Sequence, residues 1–179
     1  MKELNKIEEL FNDFIKKAEL LVEKSKQSEF EDHNFRVNSD NWKKIIVDGG
    51  EYLENPEKDI WEILNEKARG EQLFTFKAMQ RETKKAGKTV PTDEQFTELL
   101  KVKEDMPNLV FAGFRYTNGS FHYLSSYGNL WSSSESSVSH AWNRYLYSSN
   151  TTVNRYAYNK TYGFSVRCIK DNNLIILKK

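Results

Sequence analysis

Cysteine is nearly absent from this chain. Its 179 residues hold one, Cys168, which excludes an intramolecular disulfide and argues against a cysteine-built zinc site. Histidine is almost as scarce: His33, His122 and His140 are scattered rather than set at ligand spacing, so no metal and no cofactor are expected. No phosphate-cradling loop and no dinucleotide fingerprint occurs. Ser132-Ser133-Ser134 lacks the glycine elbow and nearby base that an activated serine needs. No apolar run approaches the roughly 18 residues of a membrane-crossing helix. The opening segment, Met1-Lys2-Glu3-Leu4-Asn5-Lys6, is too charged for a secretory signal, so synthesis in a cytoplasm is expected. A formal net charge of +1 gives no global attraction to nucleic acid or to a membrane surface.

Charge is also missing locally. Between Met106 and Val166 the only ionised side chains are Arg115, Glu135, Arg144, Arg155 and Lys160, although 30% of the chain is charged. The same stretch carries eight of the nine tyrosines, whereas the first hundred residues are rich in Lys and Glu. This shift predicts an α+β protein: a helical segment and connector over residues 1–70, and a β-rich domain over 71–179.

At the start, Leu4, Ile7, Phe11, Phe14, Ala18 and Leu21 alternate spacings of three and four and form one helical stripe. Leu10, Ile15 and Val22 widen it. Such a stripe fits packing against the body of the same chain first, with a seam between copies in a homo-oligomer as the alternative. Further along, Asn41 to Val47 reads as a short mixed element ending at the turn signal Asp48-Gly49-Gly50. Pro56 opens an expected helix through Ala68, with Ile60, Trp61, Ile63 and Leu64 on its apolar side. Thr75 should cap a helix over 76–86, and Gly87 falls where a left-handed residue would end it. Thr92 and Gln95 fit a capping box, with Phe96, Leu99 and Leu100 as the buried side of the helix that follows.

From Leu109 onward, segments with period-two alternation are separated by Gly, Ser or Asn. Strands are expected at 109–116, 120–125, 140–147, 152–158 and 163–169. In two of them the alternation has chemical content. Asn143, Tyr145 and Tyr147 share one parity, with Trp142, Arg144 and Leu146 on the other. Asn154, Tyr156 and Tyr158 likewise oppose Val153, Arg155 and Ala157. Side chains alternate across a strand, so each segment buries one set and displays tyrosine and asparagine on the opposite face. Of the 31 residues from Ser132 to Tyr162, 20 are Ser, Thr, Asn or Tyr and only four are charged, whereas a plain solvent face would carry Lys and Glu. Tyrosine supplies a large amphipathic contact with few rotors, and small polar residues adapt their hydrogen bonds, so this alphabet implies a recognition surface. Three cations among the tyrosines (Arg144, Arg155 and Lys160) are too few for strong phosphate binding, so nucleic acid is not expected.

Several motifs occur together and in order: Val90-Pro91-Thr92-Asp93-Glu94-Gln95-Phe96, Ala112-Gly113-Phe114-Arg115, Tyr127-Gly128-Asn129-Leu130-Trp131-Ser132-Ser133-Ser134, Ala141-Trp142, and Lys160-Thr161-Tyr162-Gly163-Phe164-Ser165-Val166-Arg167-Cys168. Over residues 73–171 the chain resembles the C-type-lectin fold of the formylglycine-generating-enzyme branch, in the form called the Fibrobacter succinogenes major paralogous domain. That branch includes the variable proteins of diversity-generating retroelements, found in phages, bacteria and archaeal viruses, in which mutagenic reverse transcription rewrites codons late in the gene. The resemblance implies twisted antiparallel strands with two helices, and a hypervariable surface that binds a protein or cell-surface ligand, on a virion or a cell. The ligand-binding positions it implies are Ser137, Ser139, His140, Asn143, Tyr145, Tyr147, Asn154, Tyr156, Tyr158, Asn159, Thr161 and Tyr162, with Trp131, Trp142, Gly163, Phe164, Val166 and Cys168 as scaffold. A static binding or carbohydrate-recognition module on the same fold is the alternative. Catalysis is not expected: the formylglycine-generating enzyme relies on a cysteine pair, and Cys168 alternates with Phe164 and Val166 as a core thiol would. A calcium-dependent sugar site is disfavoured too, because Arg144 follows Trp142-Asn143 where an acidic ligand is needed, and no Glu-Pro-Asn occurs.

Overall fold

The computed structural model describes Lys6, residues 11–16 and residues 30–170. Within the opening stripe, residues 11–16 are helical, and Phe11, Phe14 and Ile15 are exposed (63%, 66% and 39%). Leu4, Ile7, Leu10, Ala18, Leu21 and Val22 lie outside the described residues.

Residues 43–74 form a four-stranded antiparallel sheet in sequence order: β1 (Lys43–Val47), β2 (Gly50–Glu54), β3 (Ile60–Ile63) and β4 (Gln72–Phe74). Its first turn is set by Asp48 and Gly49, both at positive φ (48° and 79°), the backbone twist that a two-residue hairpin needs. The helix expected over 56–68 does not form. The Asn55 side chain binds the backbone N–H of Asp59 and of Ile60 (2.9 Å each), closing a turn that feeds Ile60 into a strand. Ile60, Trp61 and Ile63 are then buried on both faces of that strand. A short 3-10 turn, Glu66–Ala68, leads to β4. Because β3 pairs with β4 (Glu62 opposite Gln72), the expected division at residue 70 falls inside a hairpin.

Two helices follow. In α1 (Phe76–Lys85) the Thr75 hydroxyl accepts from the Ala78 N–H, and Gly87 beyond its end is left-handed (φ 66°). In α2 (Asp93–Leu99) the Thr92 hydroxyl accepts from the Gln95 N–H (3.2 Å) while the Gln95 side chain accepts from the Thr92 N–H (2.8 Å). Both helix starts are as the sequence predicts.

The C-terminal half contains a short pair, β5 (Phe114–Arg115) and β6 (Phe121–His122), and a three-stranded antiparallel sheet, β7 (Tyr127–Glu135), β8 (His140–Tyr147) and β9 (Val153–Asn159), with β8 central. The strands expected at 109–116 and 120–125 shrink to two residues each, and β7 appears where none was expected. Residues 163–169 run extended and join the two larger sheets. Phe164 exchanges backbone bonds with Phe74 of β4, while Ser165 donates to Asn129 O and accepts from the Trp131 N–H, both of β7. Around this seam lies the largest core cluster, in which Trp131, Phe164, Val166 and Cys168 meet Phe74, Phe76 and Met79. The Trp131 indole N–H donates to Phe74 O (2.7 Å). The chain is thus α+β, with mostly antiparallel sheets and few helices.

Candidate ligand-binding surface

Pairing register decides which side chains share a face. Asn143 lies opposite Tyr156, Tyr145 opposite Asn154, and Ala141 opposite Tyr158. On the other side of β8, Tyr127 faces Tyr147, Asn129 faces Tyr145, and Trp131 faces Asn143. Cross-strand partners point the same way, so the tyrosine–asparagine sets of β8 and β9 occupy one side of the sheet. All six share that side of the sheet as parity predicts, but the expected split into a buried and a displayed set fails at Asn143, which is buried, and at Arg155, which is exposed at the sheet edge.

Depth along that face is uneven. At the end nearest the seam it is covered: Trp131, Ala141 and Asn143 are fully buried. Asn143, expected at a ligand-binding position, is therefore closed off from solvent. Its amide donates to Leu130 O (3.1 Å), and its Oδ1 has no partner among the described residues. Tyr145 and Tyr147, toward the other end of β8, are half-buried, and on the edge strand β9 the face opens along its length, with Asn154 and Tyr158 half-buried and Tyr156 59% exposed.

The rings there form two runs. One goes from Tyr123 to Tyr127 (stacked, centroids 4.3 Å), Tyr147 (4.7 Å) and Tyr145 (5.7 Å). The other goes from Tyr156 to Tyr158 (5.1 Å), Tyr162 (5.1 Å) and Tyr116 (4.9 Å). Every tyrosine between Met106 and Val166 belongs to one of the two. Tyr116, Tyr123 and Tyr127 are members that the sequence does not point to: the strands expected around the first two end before reaching them, and the third heads the unexpected β7. Tyr123 and Ser125 adopt positive φ (59° and 67°), a rare conformation for residues with side chains, in the turn that sets the Tyr123 ring on Tyr127. Burial, aided by phenol–phenol hydrogen bonds and neighbouring ring oxygens, raises the pKa values of Tyr127, Tyr145 and Tyr162; Tyr158 is raised by burial and neighbouring phenols. Between β9 and the loop at Tyr116 lies a groove of about 350 Å³, walled by Tyr116, Tyr156, Tyr158 and Tyr162 with His140 at one end.

The cations of the same strands point the other way, toward α2. Asp93, the first residue of α2, accepts from Arg144 Nη1 (2.5 Å) and from Arg155 Nε (2.9 Å) and Nη2 (2.7 Å). Arg144 also donates to Asp93 O (2.7 Å) and to the Thr97 hydroxyl (2.8 Å) and is buried. Arg155 lies over the Trp142 ring at 3.3 Å. Burial by itself would raise the Asp93 carboxyl, but hydrogen bonds and charge from Arg155 and Arg144 outweigh it and hold the pKa below the usual carboxylate range. Lys160 reaches Glu135 (3.0 Å) and Val138 O (2.9 Å). Each of these three cations is thus occupied by the protein itself.

The remaining expected positions are split between surface and support. Ser137 and Ser139 are exposed on the β7–β8 loop; the Ser137 hydroxyl accepts from the His140 N–H (3.1 Å), and the Ser139 hydroxyl lies 2.8 Å from His140 Nδ1. Asn159 shapes a turn, its Oδ1 accepting from the Thr161 N–H (3.0 Å) and hydroxyl (2.8 Å), while Thr161 stays exposed. Tyr162 packs on Phe164 (5.5 Å) as well as on its tyrosine neighbours. Cys168 is fully buried. Among the described residues, no group of three or more His, Cys, Asp or Glu is placed to hold a metal ion, and no helix is long and apolar enough to cross a membrane. No family model, no curated protein and no solved structure matches the chain.

Proposed function

We propose that this chain is a ligand-binding display protein of the kind encoded by diversity-generating retroelements, built on a C-type-lectin-like scaffold. One observation carries the reading: eight tyrosines gather on one side of the C-terminal half, while the arginines of the same strands are tied to Asp93 on the other. A rigid field of neutral phenols, edged by serine and asparagine, suits recognition of a protein or cell-surface molecule through aromatic anchors. The motif order and the pairing of a twisted antiparallel sheet with two short helices support the scaffold assignment. Tyr145, Tyr147, Asn154, Tyr156, Tyr158, Asn159, Ser137, Ser139, His140, Thr161 and Tyr162 are the diversified surface, and Asn143 leaves the set because it is buried.

The test is genetic. The coding region for residues 132–168 should recur nearby as a near-identical repeat beside a reverse transcriptase gene, differing only opposite template adenines. Sequencing of the gene across isolates should find replacements at Tyr145, Tyr147, Tyr156 and Tyr158, with Asn143, Trp131 and Asp93 constant. Isolates identical at the tyrosines and lacking any such repeat would refute diversification and leave a static binding module.

A further inference from the structure

Side chains alternate across a strand, so a cavity resting on one face of a sheet touches every second residue. The groove beside β9 instead touches four in succession: Tyr156, Ala157, Tyr158 and Asn159. It lies against the strand's outer edge, where the backbone itself is within reach.

That edge is open. β9 ends its sheet, and its register with β8, together with the bond from the Lys160 N–H to Ser139 O (2.9 Å), fixes the direction of every peptide group. Asn154, Tyr156 and Tyr158 turn their N–H and C=O groups toward β8; Arg155 and Ala157 turn theirs outward, as does the Asn159 N–H. Just before β9 the edge is covered, since Thr152 bridges Val102 and Thr151 O accepts from the Lys103 N–H. The Asn159 C=O is taken by the Tyr162 N–H. Among the described residues, no backbone bond joins Arg155 or Ala157 to any other element.

We infer that the free edge of β9 receives an extended peptide segment of a partner protein as an added strand, its inward side chains entering the tyrosine-walled groove. This rests on the tyrosine surface being a binding surface and names the class of partner it takes. Only an extended backbone offers donors and acceptors at the two-residue repeat of about 6.6 Å that Arg155 and Ala157 present. A saccharide or a convex folded surface would engage the tyrosine hydroxyls and leave those peptide groups unmatched. The groove holds the space of about a dozen waters at roughly 30 Å³ each, enough for one or two large side chains. Its phenol walls favour apolar or aromatic side chains over charged ones.

A display library of random linear peptides, panned against the immobilised full chain, tests this. Selected peptides should bind about tenfold or more weakly to Ala157→Pro, which deletes an outward N–H and leaves every bond to β8 in place. Tyr158→Ala should weaken them as well. In the complex with the unmodified chain, the Arg155 and Ala157 amides should become protected from hydrogen exchange, a readout that stands even if Ala157→Pro fails to fold. Peptides indifferent to a folded Ala157→Pro, no gain of protection at Arg155 and Ala157, or no peptide selected would each overturn the inference. Peptides lost on replacing Tyr145, Tyr147, Tyr156 and Tyr158 by alanine, yet leaving those two amides unprotected, would refute edge pairing while keeping the tyrosine surface. Protection that rises with concentration in the free chain would show copies pairing with each other and would likewise overturn it.

Discussion

Replacing Asp93 by asparagine probes how β8 and β9 are fastened to α2. The Asp93 and Arg144 side chains are 9% and 3% exposed, and Arg155 is 46% exposed. Stripping the partner from a buried charge costs about 3–5 kcal/mol. Arg144 keeps Asp93 O and the Thr97 hydroxyl as acceptors, which sets its share near the lower bound, about 3 kcal/mol. Half-exposed Arg155 adds at most about 0.5 kcal/mol after solvent screening. Loss of an acidic first residue from α2 adds roughly 0.3–1 kcal/mol. The sum, about 3.3–4.5 kcal/mol, should lower the melting temperature by roughly 10 °C in a chain of this size. Urea denaturation should show the same loss as a lower midpoint with an unchanged slope. Arg155→Ala should cost only about 1 kcal/mol, including its contact with the Trp142 ring. Combining Asp93→Leu with Arg144→Met should recover most of the stability, because no buried charge is then left alone. An Asp93→Asn protein melting within about 2 °C of the unmodified one would refute the argument.

Gly113→Ala should fail to fold or lose more than about 4 kcal/mol, because Gly113 is left-handed (φ 67°) and an added Cβ would sit 2.1 Å from His122 O; a normal urea midpoint would contradict this. Ultraviolet titration should show Tyr127, Tyr145, Tyr158 and Tyr162 ionising above the free value of about 10. A raised folded-state pKa means their contribution is complete below about pH 10 and is lost as pH climbs through the folded values; nine tyrosines titrating together near 10 would refute it. Asp93 works in the opposite direction, its contribution present above about pH 3.9 and lost as pH falls further; Asp93→Asn should remove that acid limb from the stability profile, and an identical limb in the variant would exclude Asp93 as its source. Removing residues 1–28 should lower the number of copies per particle measured by light scattering, since Phe11 and Phe14 are exposed; an unchanged number of copies would exclude the helix as an association element.

Local chemistry was the most legible part of the sequence. The Thr75 cap, the Thr92–Gln95 box and the left-handed Gly87 depend on residues within a few positions of one another, and each forms as expected. Parity placed six side chains on one face because alternation is a property of a single strand. It could not give depth: Asn143 and Tyr145 share that face, yet Asn143 lies under the seam and Tyr145 near the opening. Ile60, Trp61, Ile63 and Leu64 fit a helix face as well as a strand buried on both sides, and the deciding contact, Asn55 to Asp59 and Ile60, is a side-chain turn that periodicity does not register. β7 went unseen because Leu130 and Ser132 are buried on one side and Asn129 and Trp131 on the other, leaving no polar–apolar alternation. The partnership of Asp93 with Arg144 and Arg155 spans 51 and 62 residues, beyond the reach of any local pattern.

The extended segment at 163–169 gives this chain an order in time. Phe164 and Ser165 are the pieces through which β4 and β7 become one continuous array, and Arg167 reaches back to Glu31 O (2.6 Å) and Asn34 (2.9 Å). A ribosome adding about 5–20 residues per second exposes β1 to β4 several seconds before that keystone emerges. Until then Phe74 and Trp131 have no Phe164 to close over them, and the nascent chain carries open strand edges. Closure of such distant contacts is slow compared with forming α1 or α2, so the interval before residue 164 leaves the exit tunnel is when a chaperone matters most to this protein.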